Sequence, residues 1–274
     1  MNSRRSVYRP GMNSTANATS RPLNTTRQLP MWINADLGEG CAHDEILFKI
    51  VDWANIASGG HAGDEHSIRR ACMLALEHGV QVGAHPSYPD RAGFGRQKPE
   101  GSTAQLLGEL KRQMDFFDNI ATKLGCCPAH FKPHGQLYND AAFQAAEAEL
   151  LINLAHAFPH LKLLALANSP LVAWARSAGI EVIEEAFPDR AYLSTGALAP
   201  RSQPGAVLHD PVQVKAQAEL IVRGGPLQCL DGSSRVVTAQ TLCVHGDNAQ
   251  ALDNAKAVRA ALTEHDQDTF SGAS

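Results

Sequence analysis

From Met31 onward the chain alternates short apolar runs with longer stretches whose apolar residues recur every three or four positions. The short runs have strand length and the longer ones helical period, the βαβα pattern of a parallel sheet covered by helices. Strands are expected at 31–37 (MWINADL), 54–58, 80–85, 129–134, 162–167, 181–187 and 241–245. The clearest helix follows Ser102, which forms a capping box with Gln105. It carries Leu106, Leu110, Met114, Phe117, Ala121 and Leu124 on one face before Gly125 stops it. Further helices are expected over 65–78, 140–157, 170–178, 211–223 and 248–263.

Seven or eight such units in about 240 residues suit one closed α/β barrel, an irregular seven-stranded (β/α) barrel, better than two Rossmann-like halves. The segment 188–210 is the longest without a period, and a loop of that length in a compact domain is expected to form a wall of the site.

In such a barrel the reactive residues should follow the C-terminal ends of the strands, and here they do. The first strand ends in Asn34-Ala-Asp36-Leu-Gly-Glu39, and the second leads to His61 and Asp64. The third ends in His85 and runs on to Arg91 and Arg96, and the fourth carries Lys132 and His134. The sixth leads to Asp189 and Arg190, the last to His245 and Asp247. One Asp with two or more neutral imidazoles suits zinc or another divalent ion, so Asp36, His61 and His85 are candidate metal ligands. Without a metal, the same groups can serve as general acid and base, because His titrates near working pH. Spacing alone leaves both readings open. Gly59, Gly60, Gly93 and Gly95 can turn backbone N–H groups toward an anion that Arg91 or Arg96 would complete. Neither the G-x-x-x-x-G-K-[ST] nor the G-x-G-x-x-G pattern occurs.

The formal charge of −4 is unevenly spread: residues 1–30 hold five arginines and no acid, so 19 bases face 28 acids, a charge of −9, over 31–274. A body that acidic argues against a nucleic-acid groove. The first 30 residues are rich in Ser, Thr, Asn and Arg and are expected to be a disordered basic tail, or to precede a true start at Met31. Residues 31–274 then form a single catalytic barrel. Six cysteines without a C-x-x-C pair imply reduced thiols, hence a reducing compartment, the cytoplasm, and no apolar run approaches membrane-spanning length.

INADLGEG at 33–40, ANIASGGHAGD at 54–64, VGAHPSYPDRAGFGR at 82–96, KPHGQLYN at 132–139, FPDRAY at 187–192 and CVHGDNAQAL at 243–252 together resemble the LamB/YcsF family. That family supplies the A subunit of bacterial-type 5-oxoprolinase. The resemblance implies a barrel related to the glycoside hydrolase/deacetylase superfamily. It also implies ATP-dependent opening of the lactam 5-oxo-L-proline to L-glutamate, with ATP as co-substrate and subunits B and C as partners. Carried over to this sequence, the polar positions fall on Asp36, Glu39, His61, Asp64, His85, Arg96, Lys132, His134, Asp189, Arg190, His245 and Asp247. Asp36, His61, His85, His134, His245 and Asp247 are the catalytic candidates; Glu39, Asp64, Arg91, Arg96, Lys132, Asp189 and Arg190 are those for substrate or phosphate. Two alternatives remain: a metal-dependent amidase or deacetylase that needs no ATP, and a non-catalytic scaffold that binds a ligand.

Overall fold

The computed structural model describes residues 31–246 and 249–271. In chain order the elements are β1 (Trp32–Leu37), α1 (Asp44–Leu47), β2 (Trp53–Ala57), α2 (Glu65–His78), β3 (Gln81–His85), α3 (Thr103–Lys123), β4 (His130–Phe131), α4 (Gly135–Phe143), α5 (Ala145–Ala157), β5 (Lys162–Leu166), α6 (Pro170–Ser177), β6 (Val182–Ala186), α7 (Pro211–Val222), β7 (Pro226–Gln228), β8 (Ser234–Val236), β9 (Thr241–Val244) and α8 (Ala251–Ser271). Seven of the strands, in the order β1-β2-β3-β4-β5-β6-β9, pair in parallel and close into a barrel, with β9 beside β1. All seven expected barrel strands are present, each within a few residues of its expected bounds.

The pleat separates two environments. Ile33, Ala35 and Leu37 of β1 belong to the large apolar cluster between sheet and helices, with Ile56, Val82, Ala84, Phe131, Leu163 and Leu242 from other strands. The residues between them, Asn34 and Asp36, face the opposite way, into the barrel, because side chains alternate along a strand. Helices α2 and α3 lay Ile68, Cys72, Ala75, Leu110, Met114 and Phe117 on the sheet. Both begin with the side-chain caps their sequences advertise: Asp64 accepts from Ser67 N, and Ser102 accepts from Gln105 N.

Three expectations shift. The helix expected over 140–157 is two helices, broken at Gln144, whose backbone is extended (φ −109°, ψ 123°). Its side-chain amide donates to Asp140 Oδ1 at 3.1 Å, which holds the break in place. The last helix runs to Ser271 rather than 263. The hairpin β7–β8, antiparallel and outside the barrel, lies in a stretch that carries no strand expectation, because three-residue strands leave too short a pattern.

The long loop 188–210 spans the gap between β6 and α7. It has no regular element, only isolated bridges at Arg190–Val207 and Tyr192–Leu198. Side chains pin it instead: Gln217 Nε2 donates to the carbonyls of Phe187, Pro188 and Arg190, and Arg235 Nη1 to Ser194 O. Among the described residues, no helix is long and apolar enough to cross a membrane.

Candidate functional site

A ladder of polar side chains fills the barrel interior, where most barrels of this size carry apolar layers. At the N-terminal end of the strands, Trp32 stacks on Trp53, and Trp53 on His130, with ring centroids 5.1 and 4.9 Å apart. His130 Nε2 donates to Asn55 Oδ1 at 2.8 Å. The Asn55 amide donates to Asn34 Oδ1 at 2.8 Å and Asp36 Oδ1 at 2.9 Å, and Asn34 donates to Thr241 Oγ1 at 3.0 Å. Room for the His130 ring comes from Gly83 on the neighbouring strand, where an added Cβ would stand 2.4 Å from that ring.

The ladder ends at Lys132, only 2% exposed. Its ammonium lies 2.9 Å from Asp36 Oδ1, 2.9 Å from Glu185 Oε1 and 3.1 Å from Cys243 Sγ. Burial opposes the charge, but Asp36 and Glu185 outweigh it and hold the ammonium well above its ordinary pKa. Burial likewise works against ionised Asp36, yet His85 and Lys132 keep its carboxyl well below the usual range. A buried cation shared by two carboxylates is stable as a set and costly to break.

Above this floor stand two walls. The first comes from the ends of β1 to β4. His85 Nδ1 donates to Lys132 O at 2.7 Å, and its Nε2 lies 3.3 Å from Asp36 Oδ2. His134 Nε2 donates to Phe94 O at 3.1 Å. The remaining ring nitrogens, His85 Nε2 and His134 Nδ1, are 2.9 Å apart. Glu39 Oε1 is 3.4 Å from the His134 nitrogen, 3.7 Å from that of His85 and 2.9 Å from His61 Nε2. The rings of His61 and His134 stack in parallel at 3.6 Å. Phe94 closes the group edge-on to both, at 5.1 Å. Its own φ of +57° is left-handed backbone that a bulky residue rarely adopts, and that turn aims its carbonyl at His134. Burial, then Asp36, push the Glu39 carboxyl up to about 7, and burial, then His85, bring His61 down to about 2.

The second wall comes from β6, β9 and the long loop. His245 Nδ1 donates to Asp189 Oδ2 at 2.6 Å, and the imidazole stacks on Phe187 with centroids 5.7 Å apart. Burial opposes ionised Asp189, but His245 and Arg190 hold its carboxyl below the usual value. Between the walls lies a cavity lined by Asp36, Glu39, Arg96, Lys132, Tyr138 and His245, among others.

The structure thus brings together Asp36, Glu39, His61, His85, Lys132, His134, Asp189 and His245. The expected metal trio of Asp36, His61 and His85 is regrouped: Glu39 and His134 join His61 and His85, while Asp36 falls in a second group with Cys243 and His245, donor atoms lying within 4.8 Å of one another in each. Three other candidates have different duties. Asp64 is exposed, at the N-terminus of α2, where it bonds Ser67 N at 2.8 Å. Arg91 Nη1 ties the turn after β2 through the carbonyls of Gly59 and Gly63, at 3.1 and 2.9 Å, and stands outside the cavity. Arg190 touches the cavity, but its guanidinium donates to Ala199 O and Ala206 O and shapes the loop. Asp247 lies outside the described residues. Sequence reasoning gave no role to Asn34, Asn55, Glu185 and Thr241; the signal was a polar residue inside an otherwise apolar strand, clearest in β1, where Asn34 and Asp36 alternate with Ile33, Ala35 and Leu37.

A parallel seven-stranded (β/α) barrel with buried acid–base groups at the C-terminal ends of its strands defines the class, a barrel of the enzyme type. The chain belongs to the LamB/YcsF family, whose model matches residues 31–273. It is 43% identical over 236 residues to the 5-oxoprolinase A subunit from Syntrophobacter fumaroxidans, covering 84% of this chain and 93% of that protein. It is also 43% identical to the 5-oxoprolinase A subunit from Paracidovorax citrulli, covering 84% and 94%. Among solved structures it resembles the lactam utilization protein from Thermus thermophilus, with a TM-score of 0.79 and 37% identity over 86% of this chain and 97% of that one.

Proposed function

We propose that this chain acts as the A subunit of a 5-oxoprolinase and, with partner subunits B and C, opens 5-oxo-L-proline to L-glutamate at the expense of ATP. Relatives of that name span most of its length. The observation that carries the reading is the juxtaposition, across one cavity, of two different acid–base devices. Donor atoms of Asp36 and His245 lie within 4.8 Å of each other, room for a water molecule between an ionised carboxylate and an imidazole backed by Asp189.

A lactam carbonyl is a poor electrophile, and transfer of a phosphoryl group from ATP to its oxygen makes the ring carbon open to water. The chain contains neither phosphate-loop pattern, and the reading assigns that activation to the partners. Asp36 and His245 then orient the water, and His245 takes its proton through the nitrogen that Asp189 leaves free. As the C–N bond breaks, the same proton passes to the ring nitrogen, leaving a γ-glutamyl phosphate that a second water cleaves to L-glutamate and inorganic phosphate. Arg96 at the cavity edge offers a planar fork for the substrate carboxylate. Cys243 is not the nucleophile, because burial above all pushes its thiol well above its ordinary pKa.

Glutamate release from 5-oxoproline and ATP, measured with and without co-expressed partners, tests the reading. Release is expected from the assembled complex alone. Full turnover by the isolated chain would overturn the division of labour, and ATP-independent, chelator-sensitive hydrolysis would favour an amidase.

A further inference from the structure

On the first wall three ligand-type atoms converge in a buried place. Backbone carbonyls of Lys132 and Phe94 accept from His85 Nδ1 and His134 Nε2, so the other ring nitrogens, His85 Nε2 and His134 Nδ1, face each other across 2.9 Å. The third atom of the group, Glu39 Oε1, lies 3.7 Å from the first and 3.4 Å from the second.

We propose that Glu39 Oε1, His85 Nε2 and His134 Nδ1 bind one divalent cation of the zinc class. Bonds of about 2.0–2.1 Å in a tetrahedral site put ligand atoms roughly 3.3–3.4 Å apart. The three edges here, 2.9, 3.4 and 3.7 Å, bracket that spacing. Two imidazoles and a carboxylate suit a borderline ion and leave a coordination position. Glu39 and His134 both line the cavity, so that position opens toward it. When bound, such an ion supplies Lewis-acid polarisation of an amide oxygen.

Parallel rings 3.6 Å apart share no in-plane point, so one ion takes His61 or His134 but not both, and the 2.9 Å approach of His134 Nδ1 to His85 Nε2 selects His134. His61 Nε2 instead donates to Glu39 Oε1 at 2.9 Å, which makes it a positioning residue for the carboxylate. The left-handed Phe94 fits the same purpose, since its carbonyl fixes which His134 nitrogen faces the group.

The test needs no substrate and so stands apart from the proposed reaction. The full chain, purified without a metal-affinity tag and dialysed against metal-free buffer, should carry about one zinc-class ion by elemental analysis. Stripped with a chelator and refilled with Co²⁺, it should show a visible d–d band that His85→Ala and Glu39→Gln abolish. His61→Phe keeps the stacking surface and should weaken Co²⁺ binding by about 10–100-fold without removing the band. Circular dichroism identifies any variant that fails to fold, and the strip-and-refill on the unaltered chain decides the question without variants. Substoichiometric metal together with no Co²⁺ band in the folded wild type would overturn the site. A band that survives His134→Ala but is lost in His61→Phe would overturn the ligand assignment.

Discussion

Asp189 and His245 form a closed pair, in which a donor meets an acceptor at 2.6 Å. Glu39, His85 and His134, across the same cavity, form an open group instead, with three ligand-type atoms 2.9, 3.4 and 3.7 Å apart. Both walls hold imidazoles in buried surroundings, and the difference lies in what fixes the tautomer. A carboxylate fixes His245 and leaves its other nitrogen to move protons. Main-chain carbonyls fix His85 and His134 and leave nitrogens suited to hold a cation. Identical residue types at equivalent strand ends can therefore serve proton transfer on one side and cation binding on the other.

Variants on the second wall should break this contrast most sharply. His245→Ala is expected to lower kcat of the assembled complex by about 10²–10⁴-fold, with Asp189→Asn moving in the same direction and less far. Neither should change metal content, and a loss of metal in either would merge the two walls into one site. At the shared floor, Lys132→Met strands Asp36 and Glu185 and should cost about 3–5 kcal/mol of stability in urea titration. Adding Asp36→Asn should recover part of that loss; a single variant as stable as wild type would remove the ion-pair account.

Smaller effects are expected further from the chemistry. Gly83→Ala drives a methyl into the His130 ring and should destabilise by about 1–3 kcal/mol. Arg96→Ala should raise KM for 5-oxoproline about tenfold, or about 1.4 kcal/mol, with kcat held; unchanged KM would remove Arg96 from substrate binding. Asp64→Ala should lower the melting temperature slightly through its lost cap and leave kcat and KM untouched. Any kinetic effect there would return Asp64 to the site.

Much of the barrel was legible from the sequence because its strands are short apolar runs closed by Gly, Pro and capping residues. The hairpin 226–236 and the break at Gln144 were not, since three-residue strands carry too short a pattern and one extended residue, held by Asp140 four positions back, leaves the helical period intact on both sides. Within the site, placement at strand ends found His61, His85, His134 and His245, but could not tell which nitrogen each would present. That depends on carbonyls such as Phe94 O, delivered by a backbone turn no residue type announces. For Arg190 and Arg91 residue type is equally silent on the partner: a guanidinium beside glycine-rich loops satisfies main-chain carbonyls as readily as an anion.

The stack of Trp32, Trp53 and His130 at the foot of the barrel has an optical consequence. His130 reaches Asp36 through Asn55, so whatever displaces or neutralises Asp36 alters the imidazole that quenches two coupled indoles. The third tryptophan, Trp174, is 38% exposed on α6 and should emit at longer wavelength than the stacked pair. The protein thus carries its own fluorophore at the far end of the wire from the cavity, and occupancy of that cavity can be followed by light without a label.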